Sequence, residues 1–312
     1  MKYFTKEWYR LAQCLDYTIC MKSIADKKYS DEDIAALYDK KLKAEIADDR
    51  RQYNAPPQFI EIDFDDAELD DFVLFDEKTG KLKRPESLES VKRNLEQERT
   101  RARKDFANRP PFDPQKTIER FEAAYQGGLK YGYMRYPDWV KETVDIRLVA
   151  LGFLPKSVYD RLKTEEKQNK AAFDKITKAA QKALNKENRQ IPERISSEFG
   201  WHDSSVLSLE QANKNLIILI KTEGAPFEGE TPYVRVTFTD GKIVERDKNL
   251  SLETRFFEND DVQNDTVWLY DELYKTENGF EAHMMFVNGD LCYLTVTCDD
   301  IVIERNVEVG IE

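Results

Sequence analysis

The chain has 312 residues, of which 35% are charged and 12% aromatic, and its formal net charge is −12. The aromatic content excludes a disordered chain, and the length predicts two domains. The first ten residues include Lys2, Lys6, Glu7 and Arg10 and no apolar core of signal-peptide length, so we expect no signal peptide, and no stretch approaches the roughly 18 apolar residues of a membrane span. We therefore expect a cytoplasmic protein that does not associate with membranes.

The first half of the chain shows the apolar periodicity of amphipathic helices. Apolar residues at three- and four-residue steps predict an opening helix of about five turns from Phe4 to Ile19. Ser30, with Asp33 three residues later, predicts the capped start of a second helix, which should end before Pro56-Pro57.

An acidic segment and a basic helix follow each other. Residues 59–77 contain nine acidic residues and no basic one, whereas residues 78–109 contain eleven Lys and Arg against five Asp and Glu. The predicted helix within the second range carries four of these cations on one face: Arg99, Arg101, Arg103 and Lys104. Internal charge pairing is the favoured interpretation. Nucleic-acid binding is the alternative, and we do not expect it because the helix does not sit in a basic domain.

The middle of the chain is rich in aromatic residues. Four of them are candidate binding residues that could line a pocket, with core packing as the alternative: Tyr131, Tyr133, Tyr136 and Trp139. Residues 137–151 are apolar nearly all round and predict the central helix of a bundle. A helix from Pro155 to about Glu187 should follow, and the polar stretch after Asn185 predicts a linker through Ser197.

From Trp201 the hydrophobic period changes from about four to two, which predicts strands. About eight short strands are expected in a meander, including a hairpin across Asp240-Gly241 and another turn at Asn278-Gly279. The predicted fold class is α+β. A multi-helix region, residues 1–197, precedes an antiparallel β-sandwich or partly open barrel, residues 198–312.

The acidity of the chain belongs to the predicted β-domain. Residues 199–312 carry 23 Asp and Glu against 9 Lys and Arg. Such a charge repels nucleic acid and anionic membranes and favours a basic protein partner, with solubility as the simpler explanation. Cys292 and Cys298 should lie on one face of a strand as reduced core thiols, since the four cysteines lack metal-site spacing.

The chain contains none of the common catalytic or cofactor motifs, such as a P-loop, GxGxxG, GxSxG, HExxH or paired CxxC. We therefore expect no cofactor and no metal. Both histidines fall in the predicted β-domain, with Asp203 beside His202 and Glu281 on the strand face of His283. These four residues are the candidate catalytic residues, and Trp201 is a further candidate binding residue. The alternative is that both histidines are structural or simply exposed.

Four segments carry a resemblance to a known family. They are residues 1–9 (MKYFTKEWY), residues 145–152 (DIRLVALG), His202-Asp203-Ser204, and Phe280 to His283 with the later Asp300-Ile301. With them the chain resembles an uncharacterised bacterial protein family, grouped under a domain of unknown function. The resemblance implies no activity, so no catalytic residue is carried over. More loosely, the His-Asp strand entry and the strands look like small immunity-type proteins of bacterial toxin systems.

The leading hypothesis is a non-enzymatic interaction protein that uses its acidic β-domain to bind a basic protein partner, with immunity as one form of that role. The alternative is an enzyme with a site around His202, Asp203 and His283, within reach of the aromatic residues 131–139.

Overall fold

The computed structural model describes residues 1–248, Leu250 and residues 266–309. In chain order its elements are α1 (Lys6–Ala12), β1 (Lys22–Ile24), α2 (Asp31–Asn54), β2 (Leu74–Asp76), β3 (Lys81–Lys83), α3 (Leu88–Asn108), α4 (Pro114–Tyr131), α5 (Asp138–Thr143), α6 (Ile146–Ala150), β4 (Phe153–Pro155), α7 (Lys156–Asn188), α8 (Glu193–Ser196), β5 (Ser204–Ala212), β6 (Asn215–Lys221), β7 (Tyr233–Thr239), β8 (Lys242–Arg246), β9 (Thr266–Thr276), β10 (Gly279–Asn288), β11 (Asp290–Cys298) and β12 (Asp300–Arg305). The predicted α+β class is confirmed.

Residue contacts divide the chain into two units. The first, which we call the β unit, comprises Met1–Arg10, Phe72–Pro85 and Phe173–Glu312, and the second, the helical unit, comprises Leu11–Asp71 and Glu86–Ala172. Each unit is built from separate segments of the chain, whereas the predicted domains, residues 1–197 and 198–312, are continuous. The predicted boundary at residue 197 stays a prediction. The expected linker is not a free connection, because its Ile191 and Ile195 are buried in the core of the β unit.

Several helix ends are set by the residues that the sequence indicates. The Ser30 hydroxyl accepts the Asp33 N–H, and the Asp33 carboxylate accepts the Ser30 N–H, so α2 begins with the predicted capping box. This helix ends at Asn54, before the two prolines. Asp113 caps α4, whose first residue is Pro114.

Two predicted helices are wrong in length. The opening helix has only the seven residues of α1, and further along Thr18 gives its N–H and its hydroxyl to the buried Glu166 carboxylate instead of continuing a helix. The expected central helix is broken into α5 and α6. Val144 is extended between them, and the Asp145 carboxylate accepts the Arg147 N–H at 2.8 Å, which starts a new helix.

Strands β5 to β12 of the β unit form one open antiparallel sheet in the order β12-β7-β6-β5-β9-β10-β11-β8. Their number agrees with the roughly eight strands expected after Trp201. The two halves of the sheet meet where β5 pairs with β9 over Ser204 to Val206, and both contribute to one core. Cys292 and Cys298 lie in that core as free thiols, as predicted.

The predicted hairpin across Asp240-Gly241 is wrong. Strand β7 pairs with β6 and β12, whereas β8 pairs with β11 at the other edge of the sheet. A two-residue hairpin of the Asp-Gly type needs a positive φ at both central residues, and only Asp240 has one, at 49°. The chain therefore crosses between the halves here and crosses back between β11 and β12, so the strands are not a simple meander.

Candidate functional site

The half of the sheet formed by β9, β10 and β11 has two different faces. Residues such as Met284 and Leu294 point into the core, while Glu272, His283 and Thr295 lie in register on the opposite side. We call this side the outer face; its residues are Tyr270, Glu272, Tyr274, Glu281, His283, Met285, Tyr293 and Thr295. It carries three buried polar side chains, which is unusual for the outside of a sheet.

The first residues of the chain cover part of the outer face. The Glu272 carboxylate is 1% exposed and accepts the backbone N–H groups of Lys2 at 2.7 Å, Tyr3 at 2.8 Å and Phe4 at 2.6 Å. It also accepts the Tyr274 hydroxyl at 2.8 Å. Four donors therefore converge on one buried carboxylate, and three of them come from consecutive backbone groups.

This arrangement stabilises a buried negative charge. Burial by itself would raise the pKa of Glu272, but the N–H groups of Lys2, Phe4 and Tyr3 outweigh burial, and the pKa of Glu272 is lowered. Tyr274 behaves in the opposite way, because burial and the adjacent Glu272 carboxylate raise its pKa. Glu272 is thus the charged member of the pair, held by charge-assisted hydrogen bonds.

Lys6 makes a second polar contact between the N-terminal segment and the sheet. Its ammonium lies 2.6 Å from an Asp247 carboxylate oxygen and 4.8 Å from the centre of the Tyr293 ring. Its backbone N–H donates to the Tyr293 hydroxyl. Lys6 therefore occupies an anionic, aromatic subsite on the β unit.

Aromatic rings form the third contact of the segment. The Trp8 ring stacks on Phe173 at 5.1 Å and meets Tyr270 edge-on at 4.8 Å, while Phe4 lies 5.7 Å from Tyr270. The Trp8 indole N–H donates to the Thr177 hydroxyl at 3.0 Å. Trp8 is buried, so this contact contributes hydrophobic as well as aromatic stabilisation.

His283 lies on the outer face and is 8% exposed. Its Nε2 is 2.6 Å from a Glu281 carboxylate oxygen, and its Nδ1 is 3.4 Å from the Thr295 hydroxyl. The ring also meets Tyr274 edge-on at 5.4 Å. Two candidate catalytic residues, His283 and Glu281, are thus brought together.

His202 and Asp203 form a separate pair at the entry to β5. The His202 Nδ1 lies 2.8 Å from the Asp203 carboxylate, and both side chains are about half exposed. The imidazole meets the Tyr270 ring edge-on at 4.7 Å. The pair is therefore open to solvent, unlike the pair of His283 and Glu281.

Asp271 is a titratable residue near His202 that sequence reasoning missed. Desolvation raises its pKa to about 6, against the smaller effects of a 3.0 Å hydrogen bond from the Trp268 indole and of nearby His202. A strand with strict alternation would separate the faces of Trp268 and Asp271, but a bulge in the pairing with β10 between Met285 and Phe286 puts them together. Local sequence gives no signal for that bulge.

The two histidines do not share a contact among the described residues. His202 touches the ring of Tyr270 and His283 touches the ring of Tyr274. Four residues of strand separate these tyrosines, which corresponds to about 13 Å between their Cα atoms. The geometry thus shows two histidine–carboxylate pairs rather than one combined site.

Trp201 and the aromatic residues of the helical unit have mainly structural contacts. Trp201 is buried in the core of the β unit, edge-on to Trp268 at 5.3 Å. In the helical unit Tyr136 is buried and donates to the Tyr17 carbonyl at 3.0 Å, and Tyr133 donates to the Val144 carbonyl.

The remaining two aromatic candidates differ in exposure. Tyr131 is 53% exposed, whereas Trp139 lies under the Arg161 guanidinium at 3.7 Å. Tyr131 is therefore the most exposed of the four, although the Lys130 ammonium lies 4.8 Å from the centre of its ring.

Three of the four named cations of α3, Arg99, Arg101 and Arg103, are engaged within the helical unit. Arg99 donates to the Ile60 carbonyl at 2.8 Å, and both Arg99 and Arg103 lie over the Phe59 ring. Arg103 also pairs with Glu96 at 3.6 Å. The acidic segment thus contacts α3 through the Phe59 ring and the Ile60 carbonyl. The ion pair of Arg103 with Glu96 lies within the helix itself.

Four acidic residues gather where three strand connections meet at one end of the sheet. The Asp299 N–H donates to the Thr239 carbonyl, and a Cβ on Gly279 would lie 2.9 Å from the Asp299 Cα, so the connections lie side by side. We call this surface the acidic turn face; its residues are Asp240, Glu277, Asp299 and Asp300.

The charges on the acidic turn face are only partly neutralised. Asp300 pairs with Arg194 at 2.5 Å, and Asp240 lies 3.4 Å from the largely exposed Lys242. Glu277 and Asp299 are exposed and have no ion pair within the part of the chain that the structure describes. Two free carboxylates therefore remain on this face.

Elsewhere the β unit balances much of its own acidity. The rest of the unit carries 13 Lys and Arg against 7 Asp and Glu. It consists of residues 1–10, 72–85 and 173–198. Lys6 pairs with Asp247 in this way, and Lys83 lies 3.5 Å from Glu228. The net charge of the unit is therefore smaller than that of residues 199–312 alone.

None of the helices in the described residues is both long enough and apolar enough to span a membrane. No cluster of three or more His, Cys, Asp or Glu side chains among these residues could hold a metal ion.

Residues 137–297 match the family described as Protein of unknown function (DUF4085). The matched range begins just before α5, ends in β11 and covers slightly more than half of the chain, including both histidines, Asp271 and Glu272 but not residues 1–10. No curated protein and no solved structure matches the chain significantly. The chain belongs to this family of proteins of unknown function, DUF4085.

Proposed function

We propose that the chain is a non-enzymatic interaction protein whose β unit binds a basic protein partner through the acidic turn face. The carrying observation is that Glu277 and Asp299 are exposed on neighbouring strand connections without an ion pair among the described residues. Clustered carboxylates of this kind attract a basic surface and orient it during encounter.

The chemistry of the β unit supports this proposal. Its acidic strands already bind cationic side chains from other parts of the chain, as in the pairs Lys6–Asp247, Lys83–Glu228 and Arg194–Asp300. A partner's Lys or Arg would make the same type of contact with Glu277 and Asp299. We propose that this binding takes place in the cytoplasm and that an immunity-type role would be one form of it.

The test compares charge reversals at two places on the β unit. The first variant combines Glu277→Lys with Asp299→Lys and reverses the charge of the acidic turn face. The control combines Glu223→Lys with Glu245→Lys, which changes two exposed carboxylates elsewhere by the same net charge. Proteins retained from a related lysate by the immobilised chain are identified and their isoelectric points compared. We expect that wild type and the control retain a basic protein and that the first variant does not. Retention of this protein should fall as the salt concentration rises from about 50 to 300 mM.

The proposal fails if no basic protein is retained, or if the variant at the acidic turn face retains it as well as the control does.

A second candidate function is acid–base catalysis at His202, Asp203 and Asp271. The specific observation is Asp271, a half-buried residue near His202 whose carboxyl pKa is raised to about 6 by desolvation. His283 is not part of this candidate because its contacts are Glu281, Thr295 and Tyr274. Hydrolysis of nitrophenyl esters, phosphates and glycosides should then be detectable and fall at least about tenfold in His202→Ala and Asp271→Asn. Turnover that neither substitution affects would exclude this site.

A further inference from the structure

We propose that the outer face of β9, β10 and β11 is a recognition site for a peptide segment of a partner protein that bends and then starts a helix, and that the chain's own residues 1–8 occupy it as a removable ligand. The recognised chemistry is a run of free backbone N–H groups, a lysine and aromatic side chains. This inference deepens the proposed function and rests on it for the basic character of the partner.

The path of the chain supports a ligand-like role for this segment. The chain leaves the β unit after Arg10 and returns to it at Phe72. Connectivity within the β unit therefore does not force residues 1–8 onto the sheet, and their position depends on the contacts that they make. A segment held in this way can open without unfolding the sheet beneath it.

Glu272 shows that the outer face is built to receive backbone donors. Without the segment this buried carboxylate would keep only the Tyr274 hydroxyl among the four donors described above. Hydrogen bonds to a carboxylate are roughly twice as strong as those between neutral groups, so the site favours any segment that offers three consecutive N–H groups. The interior of a helix or a paired strand cannot do so, because its N–H groups are already used, whereas a bent segment or the start of a helix can.

The neighbouring contacts add side-chain selectivity. Asp247 and Tyr293 accept a lysine, and Tyr270 with Phe173 accepts aromatic rings. An acidic side chain at the lysine position would meet the Asp247 carboxylate and be repelled. The site is thus suited to a basic, aromatic segment like the one that now fills it.

The experiment uses full-length chains and a fluorescein-labelled peptide of residues 1–10. The segment variant, Phe4→Ala with Lys6→Glu, weakens the internal ligand and leaves the outer face intact. The face variant adds Glu272→Gln to the same chain. A peptide carrying Phe4→Ala and Lys6→Glu is the matched control probe.

We expect weak peptide binding to wild type, because the internal copy competes at an effective concentration of about 1 mM. The segment variant should bind the peptide at least about tenfold more tightly, and the face variant and the control probe should lose that gain. Equal binding by wild type and the folded segment variant, or a gain that survives Glu272→Gln, would overturn the proposal.

Hydrogen exchange of wild type gives a second measurement that does not depend on the variants. The amides of Lys2, Tyr3 and Phe4 should exchange by a local opening, faster than the Met284 amide in the sheet. Exchange of all four only through global unfolding would overturn the proposal. The Glu277 and Asp299 variants leave the outer face unchanged, so failure here is distinguishable from failure of the proposed function.

Discussion

The Glu272 carboxylate accepts the backbone N–H of Phe4 at 2.6 Å, although the two residues are 268 positions apart in the sequence. This contact fixes the N-terminal segment by its backbone, so it does not require a particular side chain at Phe4. The aromatic and lysine contacts of the same segment then supply the selectivity. A single buried carboxylate is therefore the point on which the docking of residues 1–8 depends.

Glu272→Ala should destabilise the chain more than any single substitution on the exposed turns. It leaves the N–H groups of Lys2, Tyr3 and Phe4 and the Tyr274 hydroxyl without their acceptor. Release of the segment into water limits the cost, so we expect a loss of about 2–4 kcal/mol in the free energy of unfolding, measured with urea.

The matched control for this prediction is Glu277→Ala, which removes an exposed carboxylate at the end of the same strand and should change the stability by less than about 0.5 kcal/mol. Similar losses for the two substitutions would contradict the role given to Glu272.

Glu272 and Asp271 are neighbours that should affect the pH dependence of stability in opposite directions. The pKa of Glu272 is lowered from 4.5, so its contribution is present above pH 4.5 and is lost as the pH falls through its folded pKa. The pKa of Asp271 is raised from 3.8 to about 6, so the folded chain binds its proton more tightly and loses stability as the pH rises between those values.

Asp271→Asn isolates the second effect, because an asparagine oxygen can still accept the Trp268 indole N–H. We expect the variant to gain about 1–3 kcal/mol relative to wild type between pH 4 and pH 6.5, with a constant difference above that range. Unfolding curves that stay parallel across the whole range would show that Asp271 titrates normally.

The pair of Lys6 and Asp247 should contribute modestly and in a salt-dependent way. Their side chains are 32% and 35% exposed, so we expect a coupling energy of about 0.5–1 kcal/mol in a double-mutant cycle of Lys6→Ala and Asp247→Ala. The coupling should shrink at high salt, because exposed charges are screened. A coupling of zero at low salt would mean that Tyr293 alone positions Lys6.

Local periodicity was enough to locate the strands but not to pair them. Strands β5 to β12 could be read from the sequence, because alternation is a property of each strand alone. The pairing of β8 with β11 depends on a chain crossing that no local pattern encodes. For the same reason the opening helix was overextended, since residues 1–10 and those after them belong to different units.

The candidate site was predictable only where its residues lie on one strand. His283 and Glu281 face the same way because they are two residues apart, and their contact is found. The pairing of Glu272 with His283 across β9 and β10 could not be predicted. The predicted turn at Asn278-Gly279 would have placed Tyr274 opposite this histidine. The turn residues are Glu277 and Asn278 instead, which shifts the register by two and brings Glu272 there.

Gly279 is the residue that makes this register possible, and Gly279→Ala should test it. Its φ is +150°, and a Cβ would lie 2.0 Å from the Cys298 carbonyl oxygen and 2.9 Å from the Asp299 Cα, both backbone atoms. The strand must shift to admit a methyl group, so we expect a loss of more than about 3 kcal/mol in the free energy of unfolding, or failure to fold.

Gly289→Ala is the matched control, since Gly289 has a φ of +70° but no atom within 4 Å of its Cβ position. Only the backbone strain remains there, and it should cost about 1 kcal/mol. Equal losses in the two variants would mean that the close approach to Cys298 does not hold the hairpin in its register.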